Sequence, residues 1–329
     1  MNKKPKFSIC IPNYNYGNYI GETIDSILSQ TFQDFEIIIA DNCSTDNSIE
    51  IIESFNDDRI RLIKNEYNIG FAPNLQKVTQ HAKGEYINLL SSDDMMCENS
   101  LMTYSNIIET LGDKSEKTIF FSDSFHIDSK GDKIRIIQRG YNSTVKNVHQ
   151  SQEDYYSLSD KQFTLRPSKQ VLYESLKSLR TFGDFATIIY PKNIWEKVGG
   201  YNVLRFVGPD ALFNYKLLSA SNNVCQIHAP LYKYRIHETL NNASQNSNVK
   251  QQIDDYLNTL HFDESFLTKI NLSKEELVET FVNDLSLNRS ISFFSYGNYM
   301  QAVRVFFFSL ATYPVQTIFR LKTILVLFF

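Results

Sequence analysis

Short apolar runs recur along the first 120 residues, and amphipathic segments separate them. Phe7–Ile11, Phe35–Ala40, Ile60–Lys64, Tyr86–Leu90 and Thr118–Ser122 are rich in β-branched and aromatic residues and predict five strands. Between them, Tyr19–Gln30 carries Ile20, Ile24, Ile27 and Leu28 on one helical face, and Asn47–Phe55, Asn74–Ala82 and Ser100–Leu111 read the same way. Strands alternating with helices of this length predict βαβ units, a largely parallel sheet and an α/β fold class.

The pattern loosens after residue 123. Residues 138–165 are rich in Asn, Ser, Gln and Asp and predict a long surface segment, the kind that serves as a binding loop or lid. Order resumes with a strand at Phe185–Tyr190, a helix at Lys192–Val198 ended by Gly199-Gly200, and a helix at Asp210–Ser219. Val224–His228 and Leu231–Arg235 predict a hairpin turning at Ala229-Pro230. Asn241–Asn248 reads as a linker, and helical patterns follow at Gln251–Leu260, Lys274–Asn288, Asn298–Thr312 and Val315–Phe329. The expected organisation is a domain over 1–240, with halves 1–123 and 124–240, a linker over 241–250, and a helical region over 251–329.

Composition narrows the partners. The 329 residues suffice for a large core, and a net charge of −4 without a basic face in the first two-thirds argues against nucleic acid. Cys10, Cys43, Cys97 and Cys225 form neither a CxxC pair nor a secreted framework, so reduced, cytoplasmic thiols are expected. Lys3, Lys4 and Lys6 precede an apolar run too short for a signal-peptide core. From Leu285 to Phe329 the only charges are Arg289, Arg304, Arg320 and Lys322. Ile318, Leu321, Ile324, Leu325 and Phe328 form a stripe there, yet Ile324–Phe329 is far short of the ~20 residues of a membrane span. A helix lying on an anionic membrane surface is one expectation; packing on the rest of the chain, or on a second copy as a homo-oligomer, is the other.

Candidate chemistry sits in the polar loops after the first, second and fourth runs: Pro12-Asn13-Tyr14-Asn15, Asp41-Asn42-Cys43-Ser44-Thr45-Asp46 and Ser91-Ser92-Asp93-Asp94. Ligands of open α/β sheets bind at the carboxyl ends of strands, where these loops would converge. Their oxygens suit a hard cation, Mg²⁺ or Mn²⁺. With Asn68-Ile69-Gly70 and Asn74, then Gly199-Gly200-Tyr201 followed by Asp210, then Tyr234-Arg235-Ile236-His237, the ordered set resembles the family 2 glycosyltransferases of the glycosyltransferase A-type fold. It covers residues 6–240, about seventy per cent of the chain.

That resemblance implies an inverting, metal-dependent hexosyl- or N-acetylhexosaminyl-transferase moving a sugar from a UDP-sugar to a saccharide or lipid-linked saccharide in surface polysaccharide synthesis. It implies that Asp93 holds the metal, with Asp94 as a secondary ligand and His237 reaching the ion or the diphosphate as a lid segment orders. Ser91 replaces the first Asp of the family's Asp-x-Asp-Asp, so its hydroxyl can bond a ribose without bringing charge, and Ser92 beside it is counted with the nucleotide-binding residues. Pro12, Asn13 and Tyr14 would edge the base pocket, Asp41 would accept the base N–H, Asn68, Gly70 and Asn74 would shape the donor site, and Arg235 would bond phosphate. Asp210 would be the base for the acceptor hydroxyl; Pro209 takes the place of the family's Glu. The plainer readings stay open: helix capping for Asp93 and Asp94, a self-satisfied turn for Asp41, a helix N-terminal carboxylate for Asp210. The rival functions are a degenerate nucleotide-sugar-binding subunit and a sugar-nucleotidyltransferase, although Pro12–Asn18 has no basic residue of the latter's loop.

Overall fold

A computed structural model describes residues 4–138, 144–147, 162–178, 181–203, 209–236 and 248–328. The chain forms two compact units, one from Met1–Val171, Thr181–Leu204 and Phe213–His237, the other from Leu172–Arg180, Arg205–Leu212 and Glu238–Phe329.

The first unit is built on a mixed sheet. Strands β1 (Phe7–Asn13), β2 (Phe35–Asp41), β3 (Ile60–Lys64) and β4 (Tyr86–Leu89) run parallel in the order β3-β2-β1-β4, with α1 (Gly17–Leu28), α2 (Ser48–Ser54) and α3 (Phe71–Gln80) as connections. Ile9, Ile11, Ile37, Ile39 and Ile87 are all buried, because strands covered on both faces read as continuous apolar runs. Helix α1 buries Ile20, Ile24 and Ile27 at i, i+4 and i+7. Beyond the two-residue β5 (Met95–Met96) and α4 (Ser100–Leu111), the sheet continues through β6 (Thr118–Ile127), which pairs with β7 (Lys133–Gln138), itself paired with β8 (Thr144–Asn147). β9 (Phe163–Pro167) leads into α5 (Ser168–Ser178), and β10 (Ile189–Pro191) into α6 (Lys192–Val198). β10 lies antiparallel between β4 and β6. Of the segment 138–165, the described parts other than Gln162 are thus strands; the remainder lies outside the described residues.

Two expectations are corrected here. The predicted hairpin over 224–235 is one strand, β11 (Asn223–Arg235), parallel to β6 and following α7 (Pro209–Ala220). Pro230 cannot donate to a ladder but is accommodated where the register shifts between Ile227 and Tyr232, and buried Ala229 and Leu231 keep the chain inside the sheet. The predicted strand at Phe185–Tyr190 shrinks to β10 because Thr187 closes a turn, its N–H and hydroxyl both donating to Asp184 O at 3.0 Å. Gly200 ends the α6 segment at φ +70, and its Tyr201 neighbour donates N–H to Gln76 Oε1 at 2.7 Å. A Cβ there would stand 2.2 Å from that oxygen.

The second unit is helical from residue 248 onward: α8 (Asn248–His261), α9 (Glu264–Thr268), α10 (Lys274–Thr280), a wide π turn over Phe281–Leu287, α11 (Asn288–Ser295), α12 (Tyr299–Thr312) and α13 (Pro314–Phe328). Of the expected linker, 241–247 lie outside the described residues and Asn248 already begins α8. Ser273 and Glu276 form a reciprocal capping box that starts α10. The predicted helix over 274–288 is continuous but unwinds by one π turn to seat Phe281, Val282 and Leu287 against Tyr256, Phe308 and Tyr313. Leu321 joins this core, whereas Ile318 of the same predicted stripe is exposed. Among the described residues, no helix is long and apolar enough to cross a membrane.

Candidate active site

The loops after β1, β2 and β4 meet at the carboxyl edge of the parallel strands. Asn13 Nδ2 donates to Asp41 Oδ1 at 2.8 Å; Ser44 adds its hydroxyl to the same oxygen at 2.5 Å and its N–H to Oδ2 at 2.9 Å. Asp41 is 0% exposed. In this arrangement it braces two loops and closes its own turn. Tyr14 beside it is 43% exposed and offers an open aromatic face.

An asparagine network holds the loop after β2 to the β3–α3 connection. Asn42 Nδ2 donates to Asn68 Oδ1 (2.9 Å) and Gly70 O (3.3 Å), and its Oδ1 accepts from Asn65 Nδ2 (3.0 Å) and Ile69 N (2.9 Å). Asn74 Nδ2 donates to Ala40 O at 2.8 Å, and its Oδ1 accepts from Asn65. Asn74 is therefore a buried brace, and Asn68 a turn residue that also accepts from the Gly70 N–H. Gly70, at φ +92, supplies a backbone conformation that side chains disfavour. The hub is Asn42, which the sequence places in the loop after the second run without a ligand-binding role of its own.

The acidic turn after β4 is fixed from three sides. Ser92 Oγ donates to Pro12 O at 2.7 Å, and Thr23 Oγ1 donates to Ser92 O at 2.9 Å. Arg235, at the end of β11, donates its N–H to Asp94 Oδ1 and its Nε to Asp93 O, both at 2.9 Å. Its NH2 reaches Glu22 Oε2 at 2.5 Å, its NH1 reaches Ser129 O at 3.1 Å, and its guanidinium lies 4.9 Å from the Tyr19 ring centroid. At 1% exposure, with protein acceptors on every nitrogen, Arg235 holds the Asp93 backbone and the Asp94 carboxylate in place. Nor do Asp93 and Asp94 cap a helix: β5 follows them, and α4 starts only at Ser100.

Electrostatically the two carboxylates of this turn oppose one another. Burial, and then the Asp93 charge, push the Asp94 carboxyl well above the usual carboxylate range; Asp184 adds to the push, while the Arg235 N–H and the Ser91 hydroxyl oppose it. Asp94 Oδ2 is buried with no hydrogen-bond partner among the described residues. The Tyr16 phenol is pushed up to about 12 by burial, then by the charges of Asp93 and Asp94, so it stays a protonated neighbour of both. Asp184, held by Ser124 Oγ at 3.2 Å, and Tyr16 belong to this cluster, and neither was singled out from sequence. Asp184 precedes a predicted strand without a motif, and only the fold carries it to the edge; Tyr16 adjoined the quoted Asn-Tyr-Asn run.

Asp210 lies half-buried in the first turn of α7 and is counted with the second unit. His237 lies outside the described residues. Among the described residues no three His, Cys, Asp or Glu side chains are grouped to hold a metal ion. The donor chemistry nonetheless fits one: two adjacent carboxylates, one with an orphaned buried oxygen, favour a hard divalent cation whose remaining ligands come from elsewhere.

The profile of the family described as Glycosyl transferase family 2 matches residues 8–176, over half of the chain. The chain belongs to that family. It is 43% identical over 98 residues to the glycosyltransferase GlyG of Streptococcus pneumoniae, a match covering 29% of this chain and 33% of that one. It is 38% identical over 121 residues to WfaP of Escherichia coli, a UDP-Glc:alpha-D-GlcNAc-diphosphoundecaprenol beta-1,3-glucosyltransferase, covering 37% of this chain and 46% of the relative. The matched part thus spans a third to under a half of these relatives. The structure of Staphylococcus aureus TarS 1-349 in complex with UDP superimposes with a TM-score of 0.61 over 95% of this chain and 88% of that one, at 17% identity. The fold is the glycosyltransferase A-type.

Proposed function

We propose that this chain is an inverting glycosyltransferase that moves a sugar from a UDP-sugar to a saccharide or lipid-linked saccharide in surface polysaccharide synthesis. One observation carries the reading: a clamped carboxylate pair with an orphaned oxygen stands at the strand edge beside an open aromatic rim. The family, the UDP and UDP-GlcNAc complexes of TarS, and the UDP-Glc donor in the name of WfaP support it.

In this mechanism Tyr14 stacks on the base, the backbone and side chains of 12–13 edge it, and Ser91 bonds the ribose. Asp93 and Asp94, joined by His237, are the proposed holders of Mg²⁺ or Mn²⁺, which when bound neutralises the charge that grows on the departing diphosphate. Arg235 keeps the Asp93 backbone fixed, so little of the site must reorganise during reaction. Asp210 takes the proton of the acceptor hydroxyl as that oxygen bonds the anomeric carbon, and the bond from that carbon to the diphosphate oxygen breaks, releasing the nucleoside diphosphate. Its partners would be donor, acceptor and, through the terminal helices, a membrane surface.

The test is nucleotide release from a panel of UDP- and dTDP-sugars with and without EDTA, with product configuration read by NMR. Release from one donor with inversion supports the proposal. Donor binding without turnover under any acceptor supports a degenerate subunit instead.

A further inference from the structure

The C-terminal helices keep one apolar face inside their own unit and turn another outward. In α12, Ala302, Val305 and Ser309 are buried, whereas Met300, Val303 and Phe307, on the opposite side at i, i+3 and i+7, are exposed. Phe294 on α11 and Val315 and Phe319 on α13 are exposed as well. An outward stripe of this size is uncommon on a protein facing only water. Tyr296 and Tyr299, both exposed, flank it; such amphipathic rings favour the head-group level of a bilayer.

Charge selects the occupant. No Asp or Glu occurs after Asp284, and the exposed Arg304 and Arg320 sit on the same helices as the stripe. An apolar face on helices whose own charges are all cationic complements anionic lipid head groups over acyl chains. We infer that α11–α13 form a peripheral docking face for an anionic lipid surface, with Met300, Val303 and Phe307 entering the interface and Arg304 and Arg320 meeting phosphates. Since no helix among the described residues is long and apolar enough to span, contact is parallel to the surface. This deepens the membrane part of the proposed function and is independent of its chemistry.

The experiment uses the full chain without donor or acceptor. Sedimentation with phosphatidylcholine vesicles is compared with and without phosphatidylglycerol, at low and high salt, alongside hydrogen–deuterium exchange over residues 291–320. Binding to anionic vesicles only, weakened by salt, with reduced exchange in that stretch, is expected. R304Q and R320Q should each weaken binding about fivefold, and F307S should weaken it further; these side chains are exposed, so far-UV circular dichroism should stay that of wild type. Absence of vesicle binding at low salt, or unchanged exchange over 291–320, overturns the inference. So does an oligomer that F307S dissociates while vesicle binding persists, since the face would then join two copies. A chain that binds vesicles but turns over no donor leaves this inference standing and sinks the catalytic one.

Discussion

Replacing Arg235 with Lys tests whether a buried guanidinium holds the acidic turn. The substitution keeps the charge but loses the Nε contact to Asp93 O, a charge-assisted bond of the class contributing about 1.5–3 kcal/mol. The Glu22 contact counts for at most about 1 kcal/mol because that carboxylate side chain is 52% exposed, and an ammonium recovers one of the remaining acceptors. A net loss of about 2–3 kcal/mol follows. At about 2.1 cal/mol/K of unfolding entropy per residue, a chain of 329 residues should lose roughly 3–4 °C of Tm in a circular-dichroism melt. Titration calorimetry should then show a smaller Mn²⁺-dependent gain in UDP affinity, with metal-free affinity unchanged, since the side chain acts through the turn that carries Asp93. An unchanged Tm together with weaker metal-free UDP binding would refute the clamp and return Arg235 to the phosphate.

Asn42→Ala removes the hub of the asparagine network and should cost about 2–4 kcal/mol while weakening UDP affinity; a denaturant melt unchanged from wild type would contradict this. Asp210→Asn should lower turnover by at least about 10²-fold with donor affinity intact, and parallel loss of both would make it a binding or helix-terminal residue. His228 is buried enough to depress its pKa below the usual 6.5, and its Nε2 lies 2.7 Å from Thr164 Oγ1. The unfolded chain therefore takes that proton first, so stability should fall as pH drops from about 6.5 through the lower folded value. His228→Gln should flatten that part of the stability curve, and an unaltered slope would discount the residue.

The parallel half of the sheet was readable because its information is local. Runs such as Phe35–Ala40 must be buried on both faces, and α1 shows its inward residues at helical spacing. β11 was misread because Pro230 is an ordinary turn signal, and its accommodation at a bulge depends on β6, whose partnership is set by tertiary pairing. The site divided along the same line. Motif order located the turn bearing Asp93 and Asp94, but sequence offers no measure of burial. That is why the bracing contacts of Arg235 and Asp41 were not foreseen, and why Asp184, brought in by β10, was missed.

The central claim is that the clamped Asp93–Asp94 turn serves donor cleavage through a divalent cation. The most direct measurement is nucleotide release from the best UDP-sugar by wild type and Asp93→Asn, across a Mn²⁺ titration ending in excess EDTA. The account predicts Mn²⁺-dependent release in wild type, abolished by EDTA, and release lowered by at least about 10²-fold in the variant, of the order of several kcal/mol of lost charge stabilisation. Equal release in EDTA, or a variant as active and as metal-responsive as wild type, would contradict it.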